Sequence, residues 1–219
     1  MTFQHKMISC LAAGLVVAGG VVMFGVRDTR PVLVCFGDSL TTCGGKGGQY
    51  TVWLAKQLPH VRVVNAGVGG DTLEQGRLRF QKDVLSHRPA VVLIAMGAND
   101  FWRDLRTVSE LRGYLEEMVT AAKAQQAKVV IASCFGDRPF WEETCVEFSF
   151  VRFEFAAEIA KMEQAVSKKY GCAYIPNLQI DVKPNRLPPY WDATDHPNSK
   201  GNEQVALRLL PALVAALGQ

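Results

Sequence analysis

Ser39 follows directly on the apolar run at residues 31–36, within the sequence Gly37-Asp38-Ser39-Leu40. A serine at the C-terminal end of a buried strand stands where open α/β sheets bind their ligands. The glycine two residues upstream permits a tight backbone path and leaves the hydroxyl accessible. Such a hydroxyl is a candidate nucleophile, weak until a neighbouring base takes its proton. The same tripeptide is also ordinary turn chemistry, because Gly, Asp and Ser all favour turns. The chemical reading therefore needs a base and a place for developing negative charge elsewhere in the chain. His196 is the candidate base: of the four histidines, His5 flanks an N-terminal apolar segment, and His60 and His87 fall at helix ends. Asp192 and Asp195 precede His196 within the segment Asp192-Ala193-Thr194-Asp195-His196-Pro197-Asn198. Two further segments rich in glycine, asparagine and aspartate are Asn65-Ala66-Gly67-Val68-Gly69-Gly70-Asp71-Thr72 and Met96-Gly97-Ala98-Asn99-Asp100.

The elements between these segments must bring them together. Short β-branched runs at residues 32–36, 61–65, 90–95, 128–133 and 172–175 read as parallel strands buried on both faces. Helix-length amphipathic stretches at 50–58, 72–85, 109–125, 150–170 and 199–217 alternate with them. In the last, Val205, Leu209, Leu213 and Leu217 recur every four residues and should form its core face. Five strands alternating with helices predict a doubly wound, three-layer α/β/α sandwich. The chemistry-bearing segments follow strands one, two and three and precede the last helix, so all four converge on one rim of the sheet. Phe135 to Phe153, rich in aromatics, reads either as an apolar wall beside the site or as core under a long helix. Lys183 to Tyr190, with three prolines, is a rigid loop.

Composition narrows the function classes. At 219 residues and 48% hydrophobic, the chain can bury one sizeable core. A net charge of +3, with basic residues scattered among acids, leaves no electrostatic footprint for nucleic acid. Residues 8–26 carry no charge, close to the ~20 residues that span a bilayer as a helix. We therefore expect residues 1–29 to be a membrane anchor or signal segment, an uncleaved anchor first and a cleaved signal peptide second. Residues 30–219 then form the folded domain, on the exported or membrane-anchored side. The six cysteines show no CxxC pair and no metal-type clustering with histidine, so no metal is expected. Cys35 and Cys134 read as small core residues, and Cys134 with Cys145 is the one local pairing that a disulfide could join.

Taken together, the four segments resemble the SGNH (GDSL-type) hydrolase family, whose signature is a serine, a glycine, an asparagine and a histidine in four blocks. The stretch from Val64 through Thr72, with Gly76 and Leu78 beyond it, is similar to the bacterial thioesterase I, lysophospholipase L1 and arylesterase branch. The resemblance runs from about Val32 to Leu217. It implies a flavodoxin-like sandwich with a five-stranded parallel sheet, and no organic cofactor. It implies Ser39 as nucleophile and His196 as base. The oxyanion donors it implies are the backbone amides of Ser39 and Gly70 and the side-chain amide of Asn99. Gly67 and Gly69 compete with Gly70, and Asn99 could equally be a turn residue. The family's usual aspartate position, three before the histidine, is Ala193 here. Asp192 is the favoured acid behind His196, with one extra residue bulged into the loop; Asp195 or a backbone carbonyl is the alternative. Asp38 and Asp71 read as loop anchors that accept from backbone amides.

The reaction so implied is hydrolysis of carboxylic esters, thioesters or lysophospholipids through an acyl-serine intermediate. One rival uses the same residues to pass the acyl group to a glycan or lipid hydroxyl, which differs only in the acceptor admitted. Another is a catalytically silent binding protein on the same fold, favoured only by the displaced aspartate. No feature of the chain points to a protein partner.

Overall fold

The β-branched runs form a single five-stranded sheet in which every neighbouring pair is parallel. In chain order the strands are β1 (Val32–Gly37), β2 (Arg62–Gly67), β3 (Val91–Ala95), β4 (Lys128–Ala132) and β5 (Ala173–Ile175). The computed structural model describes residues 16–17, 20–21, 28–103, 106–135, 150–178, 190 and 196–219. Spatial order is β2-β1-β3-β4-β5. The chain thus leaves β1 on one side and returns to build outward on the other, with the switch point between β1 and β3.

Helices cover both faces. Along β1, Val34 and Phe36 point into one core cluster while Leu33 and Cys35 point into the other. The first core is closed by α3 (Leu73–Asp83), α5 (Val108–Ala124) and α6 (Phe150–Tyr170). The second is closed by α2 (Tyr50–Gln57) and α7 (Ser199–Leu217). This is the expected three-layer sandwich. On α7, Val205, Leu209 and Leu213 are buried and Leu217 is half-buried. Burial on both faces holds for β1, β3 and most of β4, but β2, at the sheet edge, is largely half-buried.

Two short helices were not expected: α1 (Ser39–Thr42) and α4 (Ala98–Arg103). Each is a single turn or slightly more after a strand, too short to carry a periodic apolar pattern. Near the N-terminus, the four described residues pair antiparallel, Val16 with Val21 and Val17 with Gly20. That corrects a continuous helix at those positions; β-branched valines beside glycines favour an extended chain over a helix. The rest of the expected anchor, residues 1–15 included, lies outside the described residues. Among the described residues no helix is long and apolar enough to cross a membrane.

Register sets the rim. Gly37 of β1 pairs with Gly67 of β2 and with Ala95 of β3, so three strands end at one level. The segments after them emerge side by side. Gly37 is packed on all sides there: an added Cβ would meet Thr41 Oγ1 and, at 2.6 Å, the Ala95 carbonyl oxygen. Thr41 cannot give way easily, because its hydroxyl is buried against Tyr50 Oη at 3.0 Å. We predict that Gly37→Ala lowers the unfolding free energy by about 1–3 kcal/mol, the usual range for overpacking, read from urea denaturation followed by circular dichroism.

Candidate active site

Ser39 is the first residue of α1 and not a loop residue. Asp38 caps this turn, its Oδ1 accepting from Leu40 N at 2.9 Å, and Thr41 N donates to the Asp38 carbonyl at 3.1 Å. A helix start leaves its first amides without intrahelical acceptors, and Ser39 N–H has no acceptor among the described residues. From the other end of the sequence, His196 Nε2 comes to 2.9 Å from Ser39 Oγ. These two residues are the predicted nucleophile and base, and the structure brings them within hydrogen-bond reach.

A buried asparagine ties the two halves. Asn202, in the first turn of α7 and fully buried, donates from Nδ2 to the carbonyls of Pro197 and Cys43, each at 3.1 Å. Cys43 N–H in turn donates to the Ser39 carbonyl at 2.8 Å. The segment next to His196 is thereby fastened to the end of α1. Asn198 caps α7, accepting from Lys200 N at 3.0 Å and Gly201 N at 3.1 Å. Asn202 was missed in the sequence, although its spacing to Val205 and Leu209 puts an amide on an apolar helix stripe, which is a legible signal. Asp192 and Asp195 lie outside the described residues, as does most of the proline-rich loop.

The second segment forms the adjacent wall. Gly70 sits at φ +83°, where only glycine is unstrained, and its N–H has no acceptor among the described residues. A Cβ on Gly69 would lie 3.9 Å from Ser39 Cβ, whereas one on Gly67 would strike Thr41 at 2.8 Å. Gly67 is therefore a packing glycine, Gly69 is the glycine that faces the serine, and Gly70 follows it in the chain. Asn99, in α4, donates from Nδ2 to the Asp71 carbonyl at 3.0 Å and to Asp38 Oδ2 at 3.3 Å. Both amide hydrogens are thus engaged, and the longer bond to Asp38 is the one most readily exchanged for another acceptor.

Arg79, on α3, holds the strand ends under this wall. Its guanidinium donates to Ala66 O at 2.8 Å, to Gly37 O at 2.9 Å and to Asp71 Oδ2 at 2.5 Å, and it lies 4.3 Å over the Phe36 ring. The Asp71 carboxylate therefore anchors its loop through Arg79, which corrects the expectation that it accepts from backbone amides. Asp38 does accept from a backbone amide, as expected. Phe135, the first residue of the aromatic stretch, is core and not wall: it is buried 5.4 Å from Phe101. Residues 136–149 and Cys145 lie outside the described residues; Cys35 and Cys134 are buried as expected.

Three carboxyl groups are sunk beneath the site. Burial pushes Asp38 up to about 7, against the pull of the Leu40 amide. Burial raises Asp100 to about 6, opposed by Leu73 N–H, which donates to it at 3.0 Å. Glu163 of α6 is raised by burial to about 8, opposed by a bond with Ser133, and its Oε2 has no partner. Its Oε1 lies 3.1 Å from where a Cβ on Gly97 would stand, directly under the turn that leads to Asn99. A glutamate amid apolar helix residues gave no motif, so nothing in the sequence marked it. Among the described residues no cluster of His, Cys, Asp and Glu could hold a metal ion.

The sequence pattern of the GDSL-like Lipase/Acylhydrolase family matches residues 35–204, from β1 into α7. The chain belongs to this family. The match takes in Ser39, Gly70, Asn99 and His196. An acetylxylan esterase of Geobacillus stearothermophilus is 36% identical over 39% of this chain and 48% of its own length. Esterase TesA of Pseudomonas aeruginosa is 32% identical over 51% of this chain and 58% of its own. The chain thus spans about half the length of these curated relatives. A crystal structure of TesA superimposes with a TM-score of 0.70 at 24% identity, covering 84% of this chain and 99% of the other, which shows a shared fold.

Two outcomes follow for this GDSL-family site. Arg79→Met leaves the Asp71 carboxylate without its cation and takes one donor from each of the Ala66 and Gly37 carbonyls, where the guanidinium is only 16% exposed, and should lower the unfolding free energy by about 3 kcal/mol in urea denaturation. Glu163 gives a pH signature. A carboxyl whose folded-state value is raised lends stability only while protonated. That stability is present below its ordinary 4.5 and is lost as pH rises through about 8. Glu163→Gln should therefore be matched to wild type in stability near pH 5 and more stable than it above pH 8, checked by denaturation across that range.

Proposed function

We propose that this protein is a serine esterase that cleaves small carboxylic esters, thioesters or lysophospholipids through an acyl-enzyme on Ser39. The observation that carries the reading is the 2.9 Å contact between His196 Nε2 and Ser39 Oγ. As Oγ attacks the acyl carbon, its proton passes to Nε2, and Nε2 then returns it to the departing alcohol or thiol. Water repeats the sequence in the second half-reaction: its proton goes to Nε2, its oxygen to the acyl carbon, and Ser39 leaves with the proton restored. The negative charge on the carbonyl oxygen falls to the amides of Ser39 and Gly70 and to Asn99, which exchanges its Asp38 contact for the oxyanion. Asp192 is the carboxylate assigned to orient the imidazole, with Asp195 as the alternative.

Ester names among the family relatives support the substrate class, and the apolar run at 8–26 supports a domain at 30–219 that is exported or tethered by residues 1–29. The test uses p-nitrophenyl butyrate and a fluorophosphonate probe on wild type and Ser39→Ala. Wild type should hydrolyse the ester and become labelled. The variant should lose about 10⁴-fold or more in kcat and all labelling, with its circular dichroism unchanged. Labelling that persists in the folded variant would remove Ser39 as the nucleophile.

A further inference from the structure

A cation stands beside Gly70, and among the described residues no carboxylate forms an ion pair with it. Arg103 ends α4, and its Nη2 lies 3.3 Å from the point a Cβ on Gly70 would occupy. Among the described residues, Gly70 and its chain neighbours aside, it is the only atom within 4 Å of that point, so the guanidinium borders the space left by the missing side chain. Arg103 is exposed, and among the described residues no carboxylate lies within ion-pair distance of it. The described carboxylates around it hold bonds to other groups, although Asp100 feels the Arg103 charge. Asp71 is paired with Arg79, Glu74 with Arg106 at 2.8 Å, and Asp100 accepts from Leu73 N–H.

Geometry relates this cation to the serine. Gly69 faces Ser39, with its would-be Cβ 3.9 Å from Ser39 Cβ, and Gly70, the next residue, faces Arg103. The nucleophile and the guanidinium therefore flank the same pair of glycines. An ester whose carbonyl is seated at Ser39 can extend a group a few bonds away toward Arg103. A guanidinium presents a planar fork of donors that fits phosphate and carboxylate oxygens two at a time.

We propose that Arg103 is a specificity residue that receives an anionic group of the substrate, so that the Ser39 site selects esters carrying a phosphate or a carboxylate near the scissile bond. The proposal rests on the esterase reading and narrows its substrate class. It assigns Arg103 no part in the bond-making steps.

The test compares matched pairs of substrates on wild type, Arg103→Gln and Arg103→Glu. One pair is p-nitrophenyl hemiglutarate against p-nitrophenyl valerate, which differ by a carboxylate. The other is 1-octanoylglycerol 3-phosphate against 1-octanoylglycerol, which differ by a phosphate. The quantity read is the ratio of kcat/KM for the anionic over the neutral member. Wild type should favour the anionic member of at least one pair by about tenfold, the equivalent of ~1.4 kcal/mol. Arg103→Gln should erase that preference and Arg103→Glu should invert it. The pair whose ratio falls identifies the anion as carboxylate or phosphate. A ratio unchanged by either substitution, or rates that fall equally for both members, would overturn the proposal, since a purely structural arginine moves both together. Wild type that hydrolyses the neutral esters without any anionic preference sinks this inference alone, whereas wild type that hydrolyses none of the four and takes no fluorophosphonate sinks the esterase reading with it.

Discussion

The rim of this sheet depends on one guanidinium. At the strand ends, the carbonyls of Ala66 and of Gly37, the latter also accepting from Val68 N–H at 3.0 Å, lie within reach of helix α3. Arg79 satisfies both, and its charge is balanced by Asp71 in the loop that follows β2. One planar group thereby fixes the height of β1, the height of β2 and the path of the glycine loop between β2 and α3. A lysine offers a point charge on a flexible stem and could not span the three acceptors at once. Whatever Ser39 and Gly70 do, they do from positions that Arg79 sets from below.

Above that clamp the polar groups form a connected set. Asp38 caps the turn of Ser39 and holds Asn99; Asn99 also holds the Asp71 carbonyl; Asp71 returns to Arg79. Buried polar networks of this kind are stiff when every member is satisfied. Outside that set, Glu163 places Oε1 beneath the turn leading to Asn99, while its Oε2 has no partner among the described residues. Burial costs a carboxylate more than a carboxylic acid, so the Glu163 carboxyl beneath the site keeps its proton up to about pH 8 while the edge carries the Arg103 guanidinium.

Most of the architecture was legible in the sequence because parallel strands and amphipathic helices carry periods of their own. Five strands and five long helices lie within one or two residues of their expected places. The four segments on the rim were legible as well, since topology alone sends them to the strand ends at a switch point. What escaped were interactions with no local pattern. Arg79 looks like any exposed helix arginine until two strand ends arrive beneath it. Glu163 looks like a solvent-facing residue of α6 until Gly97 packs over it. Helices α1 and α4 are too short to show a period. Asp71 was placed correctly in the fold but given the wrong partner, because a carboxylate near a loop has many amides to choose from and only the folded chain supplies an arginine.

The link through Asn202 has a consequence for the order in which the protein matures. Ser39 lies near the start of the sheet and His196 immediately before its last helix, 157 residues apart. The groups that fasten them, Asn202 with the carbonyls of Cys43 and Pro197, form only when α7 docks. Contacts of such sequence separation carry a high loop-closure cost and come late in folding. A growing or partly folded chain therefore holds Ser39 without the His196 imidazole beside it. The Ser39–His196 contact is completed only when that last helix closes on the sheet.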